Sequence, residues 1–144
     1  MLTFKEIDRN NFFDVIKLGV AEEQKKFVAN NMYSLAQAKA LPECVCLSIY
    51  HDDVLVGFTM YCIDHEDNEY WIYRLMIDTK YQSKGYGKAA MVKLVDRIKE
   101  DKEHQVIYIS FEPENTWAKH LYEKLGFEAD GRVLDGEIVY KLAY

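Results

Sequence analysis

Apolar and polar positions along the chain alternate in short stretches, and their spacing predicts a series of strands and helices. The first residues alternate with a period of two, which predicts a strand over residues 2–7. Helical spacing then predicts three short helices, over residues 11–18, 22–30 and 34–41. Two apolar runs, residues 44–50 and 54–63, flank a pair of aspartates and therefore predict a β-hairpin.

The second half of the chain alternates strand and helix. Apolar runs predict strands over residues 70–77, 106–111 and 137–142. Between them, helical spacing predicts one helix over residues 89–98 and a second that Asn115 caps and Gly126 ends. One face of the second helix is apolar and carries Ala118, Leu121, Tyr122 and Leu125. This order predicts an α+β fold in which the helices pack on a sheet.

Length and composition fit one domain with a substantial core. The chain has 144 residues, of which 49 % are hydrophobic. No linker, internal repeat or low-complexity tract divides it, so we expect a single domain over residues 1–144. The N-terminus lacks a basic segment followed by an apolar stretch, and no run approaches membrane-spanning length. We therefore expect cytoplasmic residence and no membrane partner.

Charge and metal-ligating residues narrow the function classes. The net charge is −6 with histidine neutral, which argues against nucleic-acid binding and suits a cationic partner. The acids at residues 52–53 and 64–69 mark turns, where solvated carboxylates are common. The cysteines are interpreted as buried apolar residues and the histidines are isolated, so we expect no metal. Arg74, a charge in an apolar strand, predicts an ion pair that stabilises the fold.

A glycine-containing loop between a predicted strand and a predicted helix is the first candidate site. It reads Gln82-Ser83-Lys84-Gly85-Tyr86-Gly87 and is followed by Lys88. Glycines at positions 85 and 87 permit close approach of the backbone to a ligand, and the unpaired amides at a helix start favour an anion. The loop alone is weak evidence, because many strand-to-helix turns contain two glycines.

A second motif makes the first more specific. The two segments Gln82-x-x-Gly85-x-Gly87 and Asn115-x-x-Ala118-x-x-Leu121-Tyr122-x-x-Leu125-Gly126-Phe127 resemble the two signature regions of the GNAT family of N-acetyltransferases. The resemblance spans residues 70–127. A less specific likeness, to bacterial spermine and spermidine acetyltransferases, lies in Glu22-Glu-Gln24, Phe27-Val-Ala-Asn30, Ser34-Leu-Ala-Gln-Ala38 and Tyr70-Trp-Ile-Tyr-Arg-Leu-Met-Ile77.

The resemblance implies a three-layer fold. Its centre is a mixed, mostly antiparallel twisted sheet with helices on both faces and a splay between the fourth and fifth strands. Acetyl-CoA is the implied co-substrate, with its pantetheine arm paired to the backbone of Leu75, Met76 and Ile77. The loop from Gln82 to Lys88 is expected to wrap the pyrophosphate, while Asn115 either caps its helix, contacts the pantetheine arm, or does both.

The resemblance also implies catalytic roles. Tyr122 matches the family's tyrosine, which donates a proton to the departing thiolate. Related polyamine acetyltransferases carry a glutamate on the fourth strand where this chain has Tyr73, so the general base stays open between Glu112 and a chain of water molecules. Glu22 and Glu23 are expected to border the acceptor groove, and Tyr73 and Glu112 are further candidates for contact with the acceptor.

Three functions remain in view. The first is acetyl transfer to a small polyamine such as spermine or spermidine. The second keeps the chemistry but acts on another small amine, an aminoglycoside or a protein amino group. The third, from a different class, is an acyl-CoA-binding module without turnover, which the presence of Tyr122 disfavours. Acceptor grooves are lined by variable loops, so the acceptor is not determined by the motifs. Dimers are common in the family, which leaves a homodimer open.

Overall fold

One twisted sheet forms the centre of the computed structural model, which describes residues 1–27 and 29–144. Within those residues the strands are β1 (Leu2–Glu6), β2 (Cys44–His51), β3 (Val54–Ile63), β4 (Tyr70–Ile77), β5 (Val106–Phe111), β6 (Glu128–Leu134) and β7 (Glu137–Ala143). They lie in the order β1-β2-β3-β4-β5-β7-β6. All neighbouring strands are antiparallel except β4 and β5, which are parallel.

Four α-helices cover the two faces of the sheet in the described part of the chain. They are α1 (Phe12–Lys17), α2 (Asn31–Ala40), α3 (Tyr86–Lys99) and α4 (Thr116–Lys124), and short 3-10 turns occupy Glu22–Gln24 and Thr79–Tyr81. One core cluster joins α3 and α4 to the sheet through residues such as Met91, Leu94 and Leu121. Another joins α1 to the opposite face through Val15, which packs with Phe58. The predicted three-layer arrangement is confirmed.

Two predicted elements differ from the structure. The helix expected over residues 22–30 is a 3-10 turn at Glu22–Gln24 followed by turns, and Asn30 instead caps α2 by accepting a hydrogen bond from the Tyr33 amide at 2.7 Å. Val28, which that prediction included, lies outside the described residues. Strand β6 was not predicted, because Glu128–Leu134 contains three charges and a glycine and lacks a clear alternation.

The sheet forks between β4 and β5. Their parallel ladder consists of three residue pairs and ends at Ile72 and Ile109. Beyond that pair, β4 continues to Ile77 and stays paired with β3 on its other edge. Its edge toward β5 therefore carries backbone amide and carbonyl groups that no strand of the described residues pairs, which confirms the predicted splay.

A bulge in β4 lies where the fork begins. The register between β3 and β4 passes from Met60–Arg74 to Tyr61–Ile72, so Tyr73 is the extra residue. A bulge bends the strand and changes the direction of the side chain that it carries. The bulge therefore places Tyr73 beside the opening between β4 and β5.

Candidate active site

Two cavities meet at the fork. The smaller has a volume of about 310 Å³ and the larger about 920 Å³. Four residues line both of them: Phe27, Leu75, Asn115 and Trp117. The two spaces are therefore neighbours that share a wall at the open edge of β4.

The smaller cavity joins the open strand edge to the start of α3. Its wall includes most of the residues expected to hold the cofactor, namely Leu75, Met76, Ile77, Gln82, Ser83, Gly85, Tyr86, Gly87, Lys88 and Asn115. Lys84 is exposed and lies outside the wall. A free strand edge followed by a helix N-terminus offers hydrogen bonds to an extended amide arm and then to an anion. The cavity thus fits a coenzyme A molecule.

The loop before α3 has a conformation that suits phosphate binding. Gly85 is the N-cap of α3 with a φ of 81°, and a Cβ atom there would meet only open space. The first backbone hydrogen bond of the helix runs from the Ala89 amide to the Gly85 carbonyl. The three amides that precede it, those of Tyr86, Gly87 and Lys88, have no helical acceptor and are available to an anion.

Gln82 holds this loop in place. Its side-chain amide donates to the Ile77 carbonyl at 2.9 Å and to the side chain of Gln24 at 3.0 Å. These bonds tie the loop to the end of β4 and to the 3-10 turn at Glu22–Gln24. The side chain of Gln82 therefore shapes the cavity wall, beyond the backbone contact that the sequence motif predicts.

Asn115 is placed to serve both of its predicted roles, as a helix cap and as a ligand contact. Its side-chain oxygen accepts a hydrogen bond from the Ala118 amide at 3.2 Å, which caps α4. The same residue lines both cavities. Capping by the oxygen directs the side-chain amide nitrogen to a different partner, so the residue can cap the helix and contact a ligand together.

The larger cavity passes through the sheet. Tyr122 and Phe111 line it and belong to the core on the α3 and α4 face. Tyr73 lines it as well, yet packs with the core on the α1 and α2 face. Because one cavity reaches side chains of both faces, the fork is an opening through which the two faces communicate.

Tyr122 lies at the α4 side of this opening. Its side chain is only 6 % exposed, and its ring packs against Phe111 and Phe127 with centroid separations of 5.4 and 5.9 Å. Burial raises the pKa of the Tyr122 phenol. A largely buried phenol that keeps its proton therefore lines the cavity, as a proton donor requires.

Two aromatic residues of β4 organise the acidic turn between β3 and β4. Tyr73 donates its hydroxyl proton to Asp64 at 2.6 Å, and Trp71 donates its indole N–H to Asp67 at 2.8 Å. Each carboxylate also accepts a backbone amide, from Glu66 at 2.8 Å and from Glu69 at 2.9 Å. All these acids except Glu69 line the larger cavity. The turn is therefore a fixed wall of the site, a role that the sequence analysis missed.

A second group of acids, from the end of β5, from β7 and from the turn before β7, also lines the larger cavity. Glu112 follows β5, Asp135 lies in the turn before β7, and Glu137 begins β7. The Ser110 hydroxyl donates to Glu137 at 2.7 Å and orients it. Of these three acids, only Glu112 was predicted from the sequence.

Three cationic side chains line the larger cavity, and two of them, Arg74 and Arg132, already bind other groups of the protein. The Arg74 guanidinium donates to Ser34, to Gln37 and to the Tyr73 carbonyl, at 3.1, 2.9 and 3.0 Å. The predicted ion pair of Arg74 is wrong for the described residues, because neutral groups of α2 and β4 take its donors. Arg132 pairs with Asp130 at 2.7 Å. Arg132 also stacks over Tyr108, 5.0 Å from the ring centre.

The structure does not bring Glu22 and Glu23 to either cavity. Glu22 forms an exposed ion pair with Lys25 at 2.7 Å, and neither glutamate is part of the two walls. Among residues 1–27 and 29–144, no group of three or more metal-ligating side chains is arranged to hold a metal ion. The helices of the same residues include none with the length and apolarity to cross a membrane.

Comparison with known proteins identifies the class. The model of the acetyltransferase (GNAT) family matches residues 7–127. The chain belongs to this family, is an N-acetyltransferase and uses acetyl-CoA as its co-substrate.

Relatives and solved structures extend this match. A spermine/spermidine N(1)-acetyltransferase of Bacillus subtilis is 28 % identical over 145 aligned residues, covering 96 % of this chain and 95 % of that protein. The structure of a spermidine N-acetyltransferase from Vibrio cholerae, with coenzyme A and spermine, superposes with a TM-score of 0.75 at 16 % identity over 97 % and 92 % of the two chains. An aminoglycoside acetyltransferase with coenzyme A gives 0.82 at 16 % identity over 99 % and 95 %. The last two show a shared fold.

Proposed function

We propose that this acetyltransferase acts on an amino group of a small polyamine such as spermine or spermidine. The observation that carries the proposal is the wall of the larger cavity, which combines six carboxylates with three cationic side chains. One of those cations, Arg132, is already paired with Asp130, which lies outside the wall. The cavity therefore has an excess of negative charge that a substrate with several ammonium groups neutralises.

The acids come from two separate parts of the fold, which suits a cation that carries several charged groups. One group of carboxylates belongs to the turn between β3 and β4, and the other to the ends of β5 and β7. Aromatic side chains lie in the same wall, including Tyr33, Trp71 and Trp117. A polyamine alternates ammonium groups with methylene segments, and such a wall offers carboxylates to the former and aromatic faces to the latter. The Bacillus subtilis relative named for spermine and spermidine supports the same substrate class.

The proposed chemistry uses the two faces of the fork. Acetyl-CoA supplies an activated acetyl thioester when it is bound. The unpaired backbone of β4 beyond Ile72 holds the extended arm and presents amide donors to a carbonyl oxygen. Tyr122, on the α4 side, donates its proton to the departing thiolate. The amine enters from the side of Tyr73. The acceptor amine thus attacks directly, without an acyl-enzyme step.

A thiol-release assay tests the acceptor. The parent protein and acetyl-CoA are mixed with spermine, spermidine, putrescine, an aminoglycoside, lysine or a basic peptide, and the products are identified by mass. We expect spermine and spermidine to give the highest kcat/KM. Preferential turnover of the aminoglycoside or the peptide would replace the polyamine with that acceptor. Coenzyme A binding without turnover of any amine would favour the non-catalytic module.

A further inference from the structure

We propose that Tyr73 and Asp64 together remove the proton from the acceptor ammonium, with Tyr73 in contact with the amine and Asp64 acting through Tyr73. The inference rests on N-acetyl transfer by this chain and deepens the proposed function by naming its base. An aliphatic amine has a pKa near 10, so it reaches the site mainly as an ammonium ion and must lose a proton before it attacks.

The position of Tyr73 supports this role. It is the bulged residue of β4, directly after the last pair that joins β4 to β5. It lines the cavity that also contains Tyr122, and it does so from the opposite face of the sheet. A base on one side of the acetyl group and an acid on the other side suit direct attack by the amine.

Asp64, which is hydrogen-bonded to Tyr73, supplies a carboxylate in place of the glutamate that related polyamine acetyltransferases carry at the Tyr73 position. The hydroxyl of Tyr73 lies 2.6 Å from Oδ2 of Asp64, within the range for proton transfer along a strong hydrogen bond. Oδ1 of Asp64 accepts the Glu66 amide at 2.8 Å, which holds the carboxylate in place. Burial and the bond to Asp64 raise the pKa of Tyr73, so the phenol is protonated at neutral pH.

The proton balance of the step follows from that state. The ammonium N–H bond breaks and a new O–H bond forms at the Tyr73 oxygen. At the same time, the original O–H bond of Tyr73 breaks and an O–H bond forms at Oδ2 of Asp64. Asp64 lies in a turn that is only partly buried, so it returns the proton to water. Tyr73 is neutral before and after the step, and no other reactant is required.

Other ionisable groups surround the pair and set its electrostatic environment. The Cys62 thiol of β3 and the Cys44 thiol of β2 pack in the same cluster as Tyr73. The remaining charged or titratable side chains that line the same cavity are Lys26, Tyr33, Glu66, Asp67, Arg74, Glu112, Tyr122, Arg132, Asp135 and Glu137.

The test uses two conservative substitutions. Asp64→Asn keeps an oxygen that accepts the Tyr73 hydroxyl but greatly weakens its affinity for a proton, and Tyr73→Phe removes the relay atom. The kcat for spermidine at saturating acetyl-CoA is measured from about pH 6.5 to about pH 9.5, a range that approaches the amine pKa. Asp53→Asn, on the exposed turn between β2 and β3 and outside both cavity walls, is the charge-matched control. Thermal unfolding confirms that each variant folds.

We expect each single substitution to lower kcat by about 10²-fold at the acidic end, with a smaller change in KM. The loss should shrink as pH rises, because more of the amine arrives neutral. The double variant should be no slower than the slower single variant, since both residues serve one proton transfer.

Three outcomes would overturn the proposal: a parent-like kcat in Asp64→Asn, a loss that is constant across the pH range, or losses that multiply in the double variant. A parent protein that does not acetylate spermidine contradicts the polyamine assignment instead. The same pH series with whichever amine of the panel is turned over then decides the role of Tyr73 and Asp64.

Discussion

Gly87 packs directly against the indole ring of Trp117, so the start of α3 and the start of α4 lie in contact. A Cβ atom on residue 87 would lie 3.1 Å from Cζ2 and 3.3 Å from Cη2 of that ring. Trp117 is 52 % exposed and forms part of the wall of both cavities. The glycine therefore sets how far the indole extends into the space shared by the cofactor and the acceptor.

This contact predicts that Gly87→Val weakens coenzyme A binding. The larger side chain has to displace the indole, which narrows the shared space, and we expect an affinity loss of about tenfold or more, or about 1.4 kcal/mol. Calorimetric titration with coenzyme A measures it. Trp117→Ala in the same protein should relieve part of the loss. Equal losses with and without the indole would show that the contact is irrelevant to binding.

Gly85→Val should also impair coenzyme A binding, but for a different reason. The backbone at Gly85 has a φ of 81°, and a side chain there would project into open space at the helix start. A β-branched residue adds strain of about 1–3 kcal/mol and bulk where the anion approaches. Gly131→Val is the matched control, because its φ is 93° and its surroundings are equally open. Affinity for coenzyme A should fall for Gly85→Val alone, and equal affinities would refute the phosphate-binding assignment.

Tyr122→Phe should lower turnover and leave cofactor affinity nearly unchanged. The substitution removes only the hydroxyl group, and loss of one general acid corresponds to about 10²-fold in kcat, or about 3 kcal/mol. Because burial raises the pKa of Tyr122, the phenol keeps its proton at ordinary assay pH, so kcat should not decline up to about pH 9.5 through its ionisation. Steady-state kinetics across pH check both statements. If the chemical step limits kcat and Tyr122→Phe still turns over like the parent, Tyr122 serves only in packing.

Neutralising the cavity acids should weaken polyamine use. In Glu112→Gln/Glu137→Gln, two carboxylates of the cavity wall are lost, and we expect the KM for spermidine to rise about tenfold with little change in coenzyme A affinity. Glu22→Gln/Glu23→Gln removes the same charge from an exposed turn outside the walls. A larger effect from the second pair would show that the acceptor binds near Glu22 and Glu23, as the N-terminal sequence motif predicts.

Much of the fold could be predicted because its strands are apolar runs of ordinary length. The strands of the hairpin, β4 and β5 were predicted within one residue of their observed bounds. Local spacing was less informative at residues 22–30, where Asn30 caps a new helix instead of continuing an old one. The strand β6 is recognisable only through its pairing with β7, since its own residues are mostly charged or exposed.

The cofactor side of the site could be predicted better than the acceptor side. Gly85 and Gly87 act through backbone geometry, which leaves a recognisable sequence motif. Asp64 and Asp67 are ordinary turn acids by sequence, and their position in the wall depends on donors that β4 supplies. The available sequence signal for this wall was the pair Trp71 and Tyr73, two aromatic residues with hydrogen-bond donors at alternate positions of one strand. Single-domain organisation, cytoplasmic residence and a homodimer remain predictions.

The salt dependence of acceptor preference tests most directly whether the acidic cavity selects a polyamine. The kcat/KM for spermidine is compared with that for hexylamine, a linear monoamine, between about 0.02 M and about 0.5 M salt. The screening length falls to a few ångströms at the upper end of this range. We expect spermidine to be preferred by at least about tenfold at low salt, with the ratio declining steadily as salt rises. A preference for hexylamine, or a ratio that salt does not change, would contradict selection by the carboxylates.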